Sequence, residues 1–271
     1  MRRVLLLAIL ASIATATQAG QDCRSEVISP DRQAEAAAQS LAVIERLDAV
    51  DAPIALVARV GTDLSKHGLR YSHVGFVWRD ADDGRWTVIH LLNTCGTDRS
   101  ALYAEGLVDY YADARVALDT AIVWLDDDLA ADAVHVLENH DAARLHDPDY
   151  NVIAHPRSDR YQNSTAWVME TLAFAMSRGA SPDRVRAQAW ADAHGHLPTR
   201  LHIPYTKRIA GGLFSANAHF TDHPLSARLA GDYAVVTVDS IFDWLERGGH
   251  IRHREDLQRP GHGAHLVAPV C

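Results

Sequence analysis

The chain has 271 residues, with 26 Lys and Arg against 35 Asp and Glu and a net charge of −9. Neutralising phosphates takes clustered Lys and Arg, so an acidic chain without a basic run is not a nucleic-acid binder. The length suits one large domain or a domain with a helical annex.

Met1-Arg2-Arg3 is a short basic stretch, Val4 to Ile13 is apolar, and Thr17-Gln18-Ala19 offers small residues at cleavage spacing. This pattern reads as a secretory signal peptide over residues 1–19, with an apolar run too short to span a bilayer. Removing Arg2 and Arg3 leaves 24 basic residues against 35 acidic ones, a net charge of −11. No later stretch is apolar enough for a membrane helix, so the expectation is an exported, periplasmic chain with no membrane span after cleavage. Cys23, Cys95 and Cys271 survive cleavage. In an oxidising compartment two of them are expected to pair, and spacing does not choose among the three pairs.

Ser29-Pro30-Asp31 opens a helix to about Val50, with Ala37, Leu41, Ile44 and Leu47 at helical spacing as its packing face. Ile54 to Val60 reads as a buried strand, and Tyr71–Trp78 and Trp86–Leu92 as a hairpin about the acidic turn Asp80 to Gly84. After a turn-rich loop, Asn93 to Asp98, a helix is expected to carry Leu102, Tyr103, Leu107 and Tyr110 or Tyr111. Thr120–Leu125 is a strand, and Asp126-Asp127-Asp128 begins a helix, where acids suit the positive terminus. Tyr150 to Ala154 is short and extended. An amphipathic helix then runs from Ser164 to about Arg178, stopped by Gly179. Ser181-Pro182-Asp183 starts a helix through Trp190, Ala234–Val238 is a strand, and Ser240–Glu246 a short helix. The class is α+β, an antiparallel sheet packed against helices, as a single domain over 20–247. Residues 248–271 read as a flexible, His-rich tail.

The chemistry gathers at Arg160-Tyr161-Gln162-Asn163-Ser164. A hydroxyl needs a base to become a nucleophile, and a helix N-terminus can stabilise an oxyanion. No base lies within this segment. His73, on a strand beside Gly75, is the candidate base, and His90 on the paired strand could fix its tautomer. Asn93 competes with His90 for that third role. Gln162 and Asn163 are candidate oxyanion donors, and Trp167 a candidate binding residue. Against this stands a plain alternative, since Ser and Asn are preferred helix caps. Asp222-His223-Pro224 reads as a structural turn.

His73-Val74-Gly75-Phe76, His90 and Asn163-Ser164-Thr165-Ala166-Trp167-Val168 resemble, in order and spacing, the circularly permuted branch of the papain-like fold. That branch holds permuted NlpC/P60 and lecithin retinol acyltransferase-like proteins, and places Cys where this chain has Ser164. A thiolate can be formed beside an imidazolium, whereas a serine hydroxyl cannot, so the departure turns an ion pair into a general-base problem. His90-Leu91-Leu92-Asn93-Thr94-Cys95-Gly96-Thr97, Arg160 to Ser164 and Thr221-Asp222-His223-Pro224 also resemble an exported bacterial family known as domain of unknown function 2145. In that family serine is the usual residue at this place, and no characterised activity comes with it. The same resemblance favours Cys23–Cys95 as the disulfide.

Two functions follow as expectations. One is a hydrolase or acyltransferase of the cell envelope, cleaving an amide, thioester or ester with Ser164, His73 and His90. The other is a non-catalytic envelope protein that keeps a papain-like cleft to bind a peptide, glycan or lipid. No cofactor is implied. His250, His253, His262 and His265 lack the ordered flanks or carboxylate that a zinc site needs, so no metal is expected. Oligomeric state is not legible.

Overall fold

The computed structural model describes residues 28–79, 83–114, 116–208 and 216–258. The expected signal peptide, Cys23 and Cys271 lie outside these residues, while Cys95 sits in the turn after the third strand. In chain order the elements are α1 (Pro30–Ala49), β1 (Ile54–Val60), β2 (His73–Arg79), β3 (Trp86–Asn93), β4 (Ser100–Gly106) and α2 (Leu107–Ala112). They continue with β5 (Ala117–Leu125), α3 (Asp127–Glu138), α4 (Asp141–Arg144), α5 (Ser164–Met176) and α6 (Arg184–Ala193). The rest are β6 (Thr199–His202), α7 (Leu225–Ala230), β7 (Asp232–Val235), α8 (Val238–Arg247) and β8 (Ile251–Leu257).

Every residue of β1 is buried, as a strand covered on both faces must be. It lies inside a six-stranded sheet of order β4-β3-β2-β1-β5-β8 in which all neighbours run antiparallel. Because side chains alternate across a strand, the sheet builds two cores. Ala55, Val57, Val77, Val88 and Trp124 face α1 and α2. Leu56, Val74, Phe76, Leu91 and Val123 face α3, α5 and α8. β6 and β7 form a separate ribbon.

Three expectations change. Leu102 and Tyr103 lie on β4, because Ser100–Gly106 pairs residue for residue with β3, and only Leu107 onward is helical. The packing face of α1 is Ala36, Ser40, Val43 and Leu47, so Leu47 stands as expected and Ile44 packs beside it, while Leu41 is exposed. The tail does not begin at 248, because Ile251–Leu257 forms β8 along the edge of β5. Its exposed charges, Arg254 to Asp256 among them, suit an edge strand that must not recruit further strands.

The helix expected to be amphipathic, α5, is instead buried on all sides from Ser164 to Ala173. A helix at the centre of a core should be apolar all round. Glu170 breaks that rule, with no exposed surface. Its carboxylate accepts from Gln162 Nε2, from Gln188 Nε2 at 2.7 Å and from Arg184 Nε at 3.1 Å. Arg184 also donates to Asp147 at 2.7 Å and to the Tyr161 carbonyl at 2.8 Å. Burial pushes the Glu170 carboxyl up, and Arg184 with the amide donors opposes that shift. Breaking one partner of such a pair strands a buried charge. Arg184→Ala is expected to cost roughly 3–5 kcal/mol. Glu170→Gln should cost less, since it keeps the shape and Arg184 retains Asp147. Equilibrium urea unfolding checks both, and an Arg184→Ala protein within about 0.5 kcal/mol of wild type would refute the role given to the clamp.

Candidate functional site

The hairpin β2–β3 pairs Phe76 with Ile89 and Val77 with Val88. Continuing that register sets Gly75 opposite His90, with His73 one alternation further along the same face. A Cβ on Gly75 would lie 2.9 Å from His90 Cβ and 2.9 Å from the Ile89 carbonyl. The missing side chain therefore lets two imidazoles meet, His73 Nε2 to His90 Nδ1 at 2.8 Å. His90 is fully buried and His73 is 8 % exposed.

Beyond His90 lies Glu105 on β4, whose Oε1 is 3.0 Å from His90 Nε2 but out of line for a good hydrogen bond. Arg59 on β1 pairs with His73 in register and is 3 % exposed. Its guanidinium lies 4.3 Å above the Tyr110 ring of α2, and its nearest carboxylate, Asp113, is 3.8 Å away. Arg59 Nε and Nη1 have no hydrogen-bond acceptor, and the ring face below is what compensates the buried charge. Burial first, then Arg59 and His90, push the His73 imidazole well below its ordinary value. The carboxylate can only accept, so it favours His90 Nε2–H, leaves Nδ1 as the acceptor, and makes His73 Nε2 the donor.

Ser164 does not join this pair. It begins α5, which packs on the opposite face of the sheet, where Trp167 meets Phe76 edge-on at 5.8 Å. Among the described residues no hydrogen bond or ring contact links Ser164 to His73 or His90. Its hydroxyl lies against Tyr150, whose phenol burial pushes up to about 12 while the serine contact pulls it down. The helix cap is Asn163, which accepts from Ala166 N–H at 2.7 Å and donates to the Val152 carbonyl at 3.3 Å. Gln162 is spent on Glu170, the Leu145 carbonyl and the Asp147 amide, so it has no donor for an oxyanion. Asn93 clamps its own turn through the Thr97 and Arg99 carbonyls and accepts from Asn217 at 3.0 Å.

Loop residues link the segments that carry the family resemblance, Asn217 reaching Asn93, and Asn151 reaching the Gln162 carbonyl and Asp222. Tyr161 stacks on His219 at 4.6 Å, and Asp222 accepts from Ser158 Oγ at 2.6 Å and from the His155 amide at 2.8 Å. His223 bonds the Ile153 carbonyl at 2.6 Å, so Asp222-His223-Pro224 serves as a structural turn. Trp167 is placed differently again. It floors an apolar cavity of about 540 Å³ walled by Trp78, Ile89, Leu102 and Leu137, with Glu138 and His140 also lining it. Among the described residues no group of three His, Cys, Asp or Glu side chains could hold a metal. No described helix is long and apolar enough to cross a membrane.

Sequence reasoning missed Arg59, Glu105 and Tyr110. Read with period two, residues 103–105 would have placed Tyr103 and Glu105 on one face, but only the pairing of β4 with β3 shows that it is the face of His90. Gly75→Ala is expected to cost about 1–3 kcal/mol by forcing His90 and β3 aside. Thermal or denaturant unfolding measures this, and a neutral substitution would show that the close approach is not needed.

No curated protein and no solved structure matches the chain. A family model described as "Uncharacterized protein conserved in bacteria (DUF2145)" matches residues 46–245, which reach from the end of α1 into α8 and include both histidines, Ser164 and every wall of the cavity. The chain therefore belongs to this bacterial family of uncharacterized proteins.

Proposed function

We propose that the protein is a non-catalytic binding protein of the cell envelope, and that the apolar cavity over Trp167 takes an acyl chain. The observation that carries this reading is the cavity, whose volume of about 540 Å³ falls within the range of small-molecule sites. Its walls are Trp78, Ile89, Leu102 and Leu137, and the side chains with oxygen or imidazole groups that line it, Tyr103, Glu138 and His140, are all exposed. Such walls would leave the hydroxyls of a glycan or the amides of a peptide unpaired, which costs free energy, whereas methylenes lose nothing there. The indole N–H of Trp167 is already used by the Ala142 carbonyl at 2.9 Å.

Hydrolase or acyltransferase chemistry is the weaker reading. A serine nucleophile needs a base within hydrogen-bond reach, and the sheet stands between Ser164 and the histidines expected to serve it. The order of the segments still suits a permuted papain-like ancestry, with the cleft put to binding.

Titration of the mature protein with dodecanoic acid, followed by tryptophan fluorescence, tests the reading. Wild type should show a saturable change, and Ala143→Trp, which fills the rim of the cavity, should weaken binding roughly tenfold or more, about 1.4 kcal/mol. In parallel, a serine-directed fluorophosphonate should label wild type no more than Ser164→Ala. No saturable binding, together with Ser164-dependent labelling, would replace this reading with the catalytic one.

Export is part of the proposal. It rests on the N-terminal segment 1–19 and on the cysteines expected to pair in an oxidising compartment, with Cys23 proposed as the partner of Cys95. Non-reducing peptide mapping of protein recovered from the periplasm should begin near residue 20 and show a Cys23–Cys95 cross-link. An uncleaved N-terminus or a Cys95–Cys271 peptide would refute the corresponding part.

A further inference from the structure

We propose that the buried His73–His90 pair is an acid-responsive latch, holding α2 and β4 against the sheet at neutral pH and releasing α2 when a proton enters the pair.

Charged and aromatic side chains surround the two rings. Arg59 faces them from β1, Tyr103 and Glu105 from β4, Tyr110 from α2, and Asp113 from the residue that ends α2. The Tyr110 ring lies 5.9 Å from His73 and 5.2 Å from His90, and its hydroxyl donates to the Val57 carbonyl at 3.0 Å. Next to it Tyr111 accepts from Thr120, which accepts in turn from Gln39 of α1. Helix α2 has six residues, too few to persist in water without this packing. One of its two tyrosine anchors on the sheet, Tyr110, is the ring that touches both histidines.

The neutral pair satisfies itself, with His73 donating and His90 accepting over 2.8 Å. A first added proton goes to His73 Nδ1 and leaves that bond intact, but it places an imidazolium beside the buried Arg59 guanidinium. The carboxylate on hand, Glu105, reaches His90 and not His73, and Asp113 is 44 % exposed and already faces Arg59. A second proton would set two donors against each other across the same 2.8 Å and break the bond. Acid therefore has two routes to the same result, and both push the rings away from Tyr110.

The pH direction follows from the His73 environment. Its value in the folded chain lies well below the unfolded one, so the unfolded or opened chain takes the proton first. The stabilisation is complete above the unfolded value, about 6.5, and is lost as pH falls below it. On β4 Tyr103 and Glu105 lie beside His90, and Tyr103 also lines the cavity with Leu102, so opening α2 also disturbs a cavity wall.

Hydrogen exchange of the full chain, read at the amides of Tyr110 to Asp113 and corrected for the intrinsic rate, tests this between about pH 7.5 and about pH 5. Amides of α5 serve as the internal reference. Wild type should lose protection in α2 by about tenfold or more towards the acid end while α5 keeps its own. His73→Gln removes the titrating ring and Arg59→Met the repelling charge, and either should flatten the profile. If one variant does not fold, the other carries the comparison. Constant protection in α2, an equal loss in α5, or the same loss in His73→Gln would overturn the latch.

Discussion

The structure depends most on one buried charge. Glu170 sits in the centre of α5, a helix with no solvent face over its first ten residues, and it is stable there because Arg184, Gln162 and Gln188 converge on it. The clamp does more than neutralise a carboxylate. Arg184 carries the same hydrogen-bond network to Asp147 and to the carbonyl of Tyr161, and Gln162 carries it to Leu145. The irregular stretch before α5 has little regular secondary structure, so these bonds give it a fixed path. The position of Ser164, and of the loop that meets Asn217 and Asp222, follows from it. The Asn163 cap contributes about 1 kcal/mol by comparison, which sets the end of the helix but would not hold the loop.

The second constraint is that a fully covered sheet is a wall. Alternation along β2 sends Val74 and Phe76 to α5 and sends His73 to α2, and nothing in the helix layer can reverse that assignment. Two polar centres arise as a result. One is the loop cluster around Ser164, rich in hydrogen bonds and spent on structure. The other is the histidine pair, with one buried cation and two more exposed acids around it. The cavity over Trp167 lies on the Ser164 side but at the β2–β4 end, and shares only Tyr103 with the surroundings of the histidine pair. Chemistry-bearing residues that look like one site in the chain are thus divided among three environments.

How far the fold could be read varied with how local its causes are. β1 and the β2–β3 hairpin are legible because their patterns are carried by contiguous apolar residues between turn signals. The cap of α3 is legible for the same reason, since Asp126 accepts from Asp128 and Leu129 within its own turn. β4 is not legible, because Leu102, Tyr103, Leu107 and Tyr110 fit a helical spacing and only hydrogen bonding to β3 makes Ser100–Gly106 extended. β8 was invisible because an edge strand facing water carries charges where a core strand carries apolar residues. At the site, His73, Gly75 and His90 are legible as a set, but Glu105 and Arg59 are not, because no sequence spacing links four separate strands.

What the sequence alone determined is the mixed α+β class, the positions of most helices and central strands, and the family, since each of these rests on local pattern or on short motifs. Whether His73 and His90 meet was left to the tertiary structure, because a shift of one residue in hairpin register would send one of them to the other face. The separation of Ser164 from that pair, the burial of Glu170 and the cavity over Trp167 were decided there too. These depend on which face of a shared sheet each helix covers, a choice made by packing among segments far apart in the chain.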